Sequence, residues 1–141
     1  MREPDAVTPR APEDYPYATH LDVRFPALEK IALDSIVAAV RDQWYNQTLV
    51  RVNDSIVRLG VIQGEYHWHH HDADDEFFYV VEGLLLIDLE PRADDVTPSR
   101  VVELRAREGF VVPRGVVHRT RAPERTIILM VETAAIVPTG S

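Results

Sequence analysis

The chain predicts an all-β domain, an antiparallel sandwich or barrel preceded by one short helix. After Gln47, short apolar or alternating runs follow one another almost without interruption. Turn chemistry separates them: Asn53-Asp54, Gly64, Gly83, the polar stretch Glu90 to Ser99, Arg107-Glu108-Gly109, Pro113-Arg114-Gly115 and Ala122-Pro123-Glu124. Eight or nine strands at this spacing, with no repeat of solenoid period, are the pattern of a sandwich or barrel.

Residues 1–20 carry Pro4, Pro9, Pro12 and Pro16 among charges and read as a flexible or extended N-terminal arm. Residues 21–141 form a single domain, the chain being long enough for one well-formed core. Asp34 is a plausible N-cap for a helix from Ser35 to about Gln43, with Ile36, Val37, Val40 and Trp44 on its apolar face. The expected strands are Thr48–Val52 and Ser55–Ile62, joined at Asn53-Asp54, then Tyr66–His71, Glu76–Val81, Leu84–Leu89, Val101–Leu104, Phe110–Val112, Val117–Arg121 and Thr126–Val131.

Composition narrows the function. The 141 residues are 45% hydrophobic and 27% charged, which argues against general disorder. No window approaches the roughly 20 apolar residues of a membrane span. The polar, proline-rich start has no hydrophobic signal core, so the protein reads as cytoplasmic. Net charge is −8 and the 14 arginines and one lysine are scattered, so neither nucleic acid nor a membrane is an expected partner. A small-molecule substrate or ligand is the better expectation. Cysteine is absent, so any metal must bind through nitrogen and oxygen.

The stretch Glu65 to Gly83, EYHWHHHDADDEFFYVVEG, holds four of the six histidines. Side chains two apart on a strand share a face, so His67, His69 and His71 point one way and Trp68 and His70 the other. Two histidines so placed on the inner wall of a barrel can chelate one cation. Glu76 follows after a turn through Asp72-Ala73-Asp74-Asp75, and His118 arrives much later, just after Pro113-Arg114-Gly115.

These residues resemble the two motifs of the cupin superfamily, G-x5-HxH-x3,4-E-x6-G and G-x5-PxG-x2-H-x3-N. His69-His70-His71, four residues, Glu76, six residues and Gly83 match most of the first, and Pro113-Arg114-Gly115, two residues and His118 match the heart of the second. The resemblance spans about residues 44–132. Trp44 to Asp54 and the closing Pro138-Thr139-Gly140 also look like small single-domain cupins of the mannose-6-phosphate isomerase-like, conserved-barrel group. Gly64 and Gly109 stand off their motif positions, and Ala122 occupies the place of the final asparagine. Those departures touch turns and a residue that binds no metal in the family.

The resemblance implies a cupin jelly-roll, the double-stranded β-helix barrel, in which His69, His71, Glu76 and His118 converge on one divalent cation. Three imidazoles and a carboxylate suit iron, manganese, nickel, cobalt, copper or zinc and leave positions open for water and substrate. The implied activity is a metal-dependent enzyme on a small oxygenated substrate, of isomerase, cyclase, lyase or dioxygenase type. A non-catalytic metal- or ligand-binding module is the alternative, and a purely structural barrel is disfavoured by buried histidines. His67, Tyr66 and Arg58 are the candidate catalytic residues; the plainer reading of His67 is a polar residue at the barrel mouth. Arg51, Arg119 and Tyr79 are further candidates to line the cavity. Asp72, Asp74 and Asp75 read as a solvated turn, one of which could orient a ligating histidine. Phe78 and Val80 read as wall, Trp44 and Trp68 as core or interface packing. Uncovered sheet edges and the habits of related proteins imply a homodimer.

Overall fold

The computed structural model describes residues 15–91 and 100–140. Among them lie β1 (Ala18–His20), α1 (Leu33–Ala39), β2 (Trp44–Val52), β3 (Ser55–Glu65), β4 (Glu76–Glu82), β5 (Leu84–Leu89), β6 (Arg100–Arg105), β7 (Gly109–Val112) and β8 (His118–Thr133). The strands pair in the order β1-β2-β3-β8-β4-β7, with β5 joining β6 to the first part of β8. The all-β class is the one that the pattern of runs and turns predicts, and the jelly-roll is the form that the resemblance to cupins implies.

β8 organises the closure. Its residues His118 to Arg121 pair with β5, while Ile127 to Val131 pair with β4, and β3 runs antiparallel beside much of its length. The sequence reading divided this strand at Ala122-Pro123-Glu124. Instead the backbone continues through those residues as it passes from one partner to the next. Pro123 to Arg125 are exposed and Pro123, lacking an N–H, sits where no ladder bond is required.

Apolar residues pack on both faces of the β2–β3–β8 region. Inside the barrel, Trp44, Ile62, Phe78, Val80, Leu85, Ile87, Ile128 and Met130 form the main cluster. Outside, Phe25, Val40, Leu49, Leu59, Val61 and Ile127 form a second, on which Leu33, Ile36 and Val37 of α1 lie. Two-sided burial explains why β3 from Leu59 to Ile62 reads as a continuous apolar run, not an alternation. α1 starts two residues earlier and ends sooner than expected: Ala32 occupies the cap with no side-chain bond, and Asp34 lies in the first turn. Val40 is already extended and Trp44 begins β2, so Trp44 joins the interior cluster instead of the helix face.

Of the expected arm, residues 1–14 lie outside the described residues. Tyr15 to His20 pack onto the barrel: β1 runs parallel to β2, pairing Ala18 with Tyr45, and Tyr17 stacks on Tyr66 at 4.1 Å. The turn residues 92–99 also lie outside the described residues.

Gly83 makes the tight β4–β5 connection. Its φ is +101°, and a Cβ there would stand 2.5 Å from Thr126 Oγ1, the same atom that accepts a hydrogen bond from Leu84 N–H. Gly83→Ala is therefore expected to cost about 1–3 kcal/mol in urea unfolding; a change within error would mean that the turn relaxes freely.

Candidate metal centre

β4 opens on Glu76, which shares its inward parity with Phe78 and Val80; all three are buried, as the sequence predicts. The histidines are held differently from expectation. β3 ends at Glu65, after a register shift near Gly64, whose φ is +106°. Tyr66 to His71 then run outside any strand, tied to β8 by the Tyr66 N–H bond to the Thr120 carbonyl and by the pair of 2.9 Å backbone hydrogen bonds that His69 and His118 exchange. That local bridge brings the two imidazoles to 4.3 Å between ring centroids. The Pro113-Arg114-Gly115 turn, with Gly115 at φ +80° and its N–H bonded to the His71 carbonyl, ties the two motifs together.

His69, His71, Glu76 and His118 each offer a ligand atom within 4.8 Å of the others, and all four are buried. Nδ1–H of His69 donates to the His67 carbonyl at 3.0 Å, and Nδ1–H of His118 donates to the Val116 carbonyl at 2.9 Å. Both bonds select the tautomer that leaves Nε2 bare, the usual way a metal-binding imidazole is oriented. Backbone carbonyls do this work; Asp72, Asp74 and Asp75 bond instead to His70, Thr133 Oγ1 and the Arg114 N–H.

The donor set fits a cation. His71 Nδ1 and Nε2, His118 Nε2 and Glu76 Oε1 are buried without a hydrogen-bond partner, and each such atom costs about 1–3 kcal/mol. His118 Nε2 and His71 Nε2 stand 3.4 and 3.5 Å from Glu76 Oε1. Ligands about 2.1 Å from one ion lie about 3.0–3.4 Å apart in octahedral or tetrahedral arrays, close to that spacing.

The electrostatics suit the same role. Burial, with the His118 ring beside it, holds His69 well below the ordinary imidazole range. Burial acts to raise the Glu76 carboxyl, but the facing His118, His71 and Glu132 side chains outweigh it and keep the group well below its ordinary range. The neutral imidazole and the anionic carboxylate are the forms that bind metal. The sign for stability follows. The unfolded chain protonates His69 from about pH 6.5 downward while the folded chain resists, so metal-free protein is expected to lose stability as pH falls below about 6.5. Below about pH 4.5, protonation of unfolded Glu76 adds to the loss. Glu132, whose carboxyl burial raises, acts in the opposite sense. The effect is therefore read as the difference in urea midpoint between the unsubstituted protein and His69→Ala across pH 5–7.5; the same pH dependence in both would contradict it.

A narrow cavity adjoins the cluster and is lined by His69, Glu76, Trp44, Asn46, Arg58, Ile62, Tyr66, Phe78, Thr120, Ile128, Met130 and Pro138. Two of the three candidate catalytic residues therefore reach it. Tyr66 donates its hydroxyl to the Pro138 carbonyl at 3.2 Å, and burial pushes its ionisation far up, so it stays neutral. Arg58 is buried and pairs with Glu132 at 2.9 Å. His67 is not a lining residue: its ring stacks on Tyr15 at 4.1 Å and its Nε2 donates to the Thr139 carbonyl at 2.7 Å. It is half-buried against Tyr15, Tyr17 and Tyr66.

The other candidates lie elsewhere. Arg51 is exposed at the β2–β3 hairpin near Asp54, and Arg119 pairs with Asp88 and Glu65 while lying over Trp68. Tyr79 is half-buried beside Phe77, on the opposite parity from the cavity wall. His70 is partly exposed and pairs with Asp72. Sequence reasoning missed Glu132, fully buried in β8. Extending the β4–β8 register one residue past Phe77↔Val131 sets it opposite Glu76. Burial, and then the charge of Glu76, raises its carboxyl well above the ordinary range. An acid within the apolar run IILMVET, at the inward parity of Ile128 and Met130, was the available signal.

A jelly-roll with a buried cluster of three histidines and one carboxylate is the class of arrangement that the strands and the site define. The Cupin domain family matches residues 56–132, over half of the chain, and the chain belongs to that family. It is 43% identical over 98 residues to YdbB, an uncharacterised protein of Bacillus subtilis (strain 168), covering 70% of this chain and 80% of that one. A crystal structure of a cupin-2 domain protein from Shewanella frigidimarina matches with TM-score 0.63 and 30% identity, over 73% of this chain and 93% of that one. Hydroquinone 1,2-dioxygenase PnpCD, in complex with Fe3+, matches with TM-score 0.66 at 17% identity, over 77% of this chain and 33% of that one, a likeness of fold. Among the described residues no helix is long and apolar enough to cross a membrane.

Proposed function

We propose that this protein is a metal-dependent cupin enzyme acting on a small oxygenated substrate, with His69, His71, Glu76 and His118 holding one divalent transition metal. The observation that carries the proposal is the convergence of buried, unpartnered donor atoms from His71, Glu76 and His118 beside His69 and a cavity. Iron, manganese, nickel, cobalt, copper and zinc all suit the set. Bound there, such an ion supplies Lewis-acid polarisation of a substrate oxygen, or oxygen activation where the metal is redox-active. The protein's own part is to keep the His69 imidazole neutral, keep Glu76 ionised, and enclose the substrate between apolar walls. Isomerase, cyclase, lyase and dioxygenase reactions are all within reach of that arrangement. The fold-level likeness to an iron-containing dioxygenase supports the last of these.

One feature favours the alternative of a non-catalytic binding module: the polar groups of two candidate catalytic residues are already engaged, Tyr66 with Pro138 and His67 with Thr139. Elemental analysis of protein purified without a histidine tag, then aerobic and anaerobic assays on keto acids, catechols, phenols and sugar phosphates, separates the readings. Turnover that depends on stoichiometric metal supports the enzyme. Stoichiometric metal with ligand binding and no turnover supports the module, and absence of metal under both conditions overturns the proposal.

We further propose a homodimer in the cytoplasm. In support, the outer sheet face aligns exposed Val111 and Val131 on either side of Phe77 in the register. Gel filtration at tens of micromolar is expected to give twice the chain mass; a monomer there would refute the dimer, and recovery in a membrane fraction would refute the compartment.

A further inference from the structure

We propose that Arg58 is the anion receptor of the cavity and that the ligand it takes is a small monocarboxylate with an apolar body. The inference deepens the metal-site reading and rests on it for the second anchoring point, but the arginine carries its own evidence. Arg58 lies on β3 opposite Met130 and Thr48, is 3% exposed, and lines the same cavity as Glu76 and His69. One terminal nitrogen faces Glu132 at 2.9 Å, whereas Nε–H is buried with no hydrogen-bond partner. A guanidinium presents its donors in a fixed planar fork that matches a carboxylate. A fork with a buried unused donor, on a residue that lines the cavity, is a site suited to an anion.

Charge balance points the same way. Glu132 offsets at most the charge of Arg58, and Glu76 offsets half that of a divalent cation, so the site keeps net positive charge. The sum stays positive whether or not Glu132 holds a proton. A single anionic group completes it.

Size and wall chemistry restrict the rest of the ligand. The cavity is narrow and leaves room only for a slender ligand body. Trp44, Ile62, Phe78, Ile128 and Met130 are its walls, with Asn46 and Thr120 as the remaining polar lining. Among the described residues no second arginine or lysine lines it. A sugar phosphate needs several donors for a dianion and more for its hydroxyls, which these walls lack. A carboxylate on a short aliphatic or aromatic body finds one charged fork and a greasy enclosure.

Calorimetric titration of metal-loaded and metal-stripped protein with benzoate, benzamide and glucose 6-phosphate tests this. Benzoate is expected to bind about tenfold or more tightly than its neutral isostere, the value of one charged hydrogen-bonded contact, and glucose 6-phosphate no better than benzamide. In Arg58→Met/Glu132→Leu, which removes both members of the pair together, the preference for benzoate should fall to about twofold or less while metal content stays unchanged. An undiminished preference in that variant means that the metal alone holds the carboxylate and overturns the assignment. So does the absence of any benzoate preference in the unsubstituted protein, a result that does not depend on the variant folding. If the protein takes up no metal yet still prefers benzoate through Arg58, the metal-site reading fails and the anion receptor stands.

Discussion

Replacing His118 with alanine is expected to empty the centre, lowering metal affinity by about a hundredfold or more while the β fold persists. Losing a partner one step removed from a metal already costs about 10–100-fold, and a direct donor costs more. The fold survives because the contribution of residue 118 to the ladder is made by its backbone. Its N–H and carbonyl exchange 2.9 Å bonds with His69, and alanine keeps both. His69→Ala is expected to behave alike. In contrast, His70→Ala should leave metal content unaltered, since that ring pairs with Asp72 away from the cluster. Elemental analysis beside far-ultraviolet circular dichroism reads both properties. Thermal unfolding adds a third readout: metal at a thousand times its dissociation constant stabilises the native state by about 4 kcal/mol, and the alanine variants should show no such rise on metal addition. Stoichiometric metal in both His69→Ala and His118→Ala would remove the assignment.

Arg58→Met alone is expected to destabilise the protein by about 3–5 kcal/mol, the usual cost of stranding one half of a buried ion pair. The stranded half is Glu132, 3% exposed and set across the ladder from Glu76, so a second acid would face the first with no cation between. Removing both members should restore most of the loss. Two well-packed apolar side chains carry no desolvation penalty, and such replacements are often neutral or stabilising. Urea unfolding of the unsubstituted protein, both single variants and the double variant measures the coupling as a cycle. A cost under about 1 kcal/mol for Arg58→Met would show that water reaches the pair, against the burial of both side chains.

Local patterns made much of this molecule legible. The alternation of β4 located Glu76, Phe78 and Val80 on the inner wall, because side chains in a strand alternate whatever the strand pairs with. The spacing from His69 to Glu76 and from Pro113 to His118 is also local, so the four donors could be nominated together. Misreadings began where local signals compete. Ala122-Pro123-Glu124 has the composition of a turn, yet β8 continues through it because its two halves serve different partners. Tyr66 to His71 has the composition of a strand, yet only His69 makes a bridge of paired backbone bonds, since the register shift near Gly64 carries the chain off the regular ladder.

The amino-acid order by itself determined the all-β class, the family and the nomination of His69, His71, Glu76 and His118. Each depends on residue type and on spacings of a few positions. Tertiary structure alone decided that Glu132 stands opposite Glu76, that Arg58 lies diagonal to it with a donor unused, and that Tyr15 and Tyr17 pack against His67. Those neighbours meet through contacts between segments 50 or more positions apart, and alternation has no information about which register two distant strands adopt.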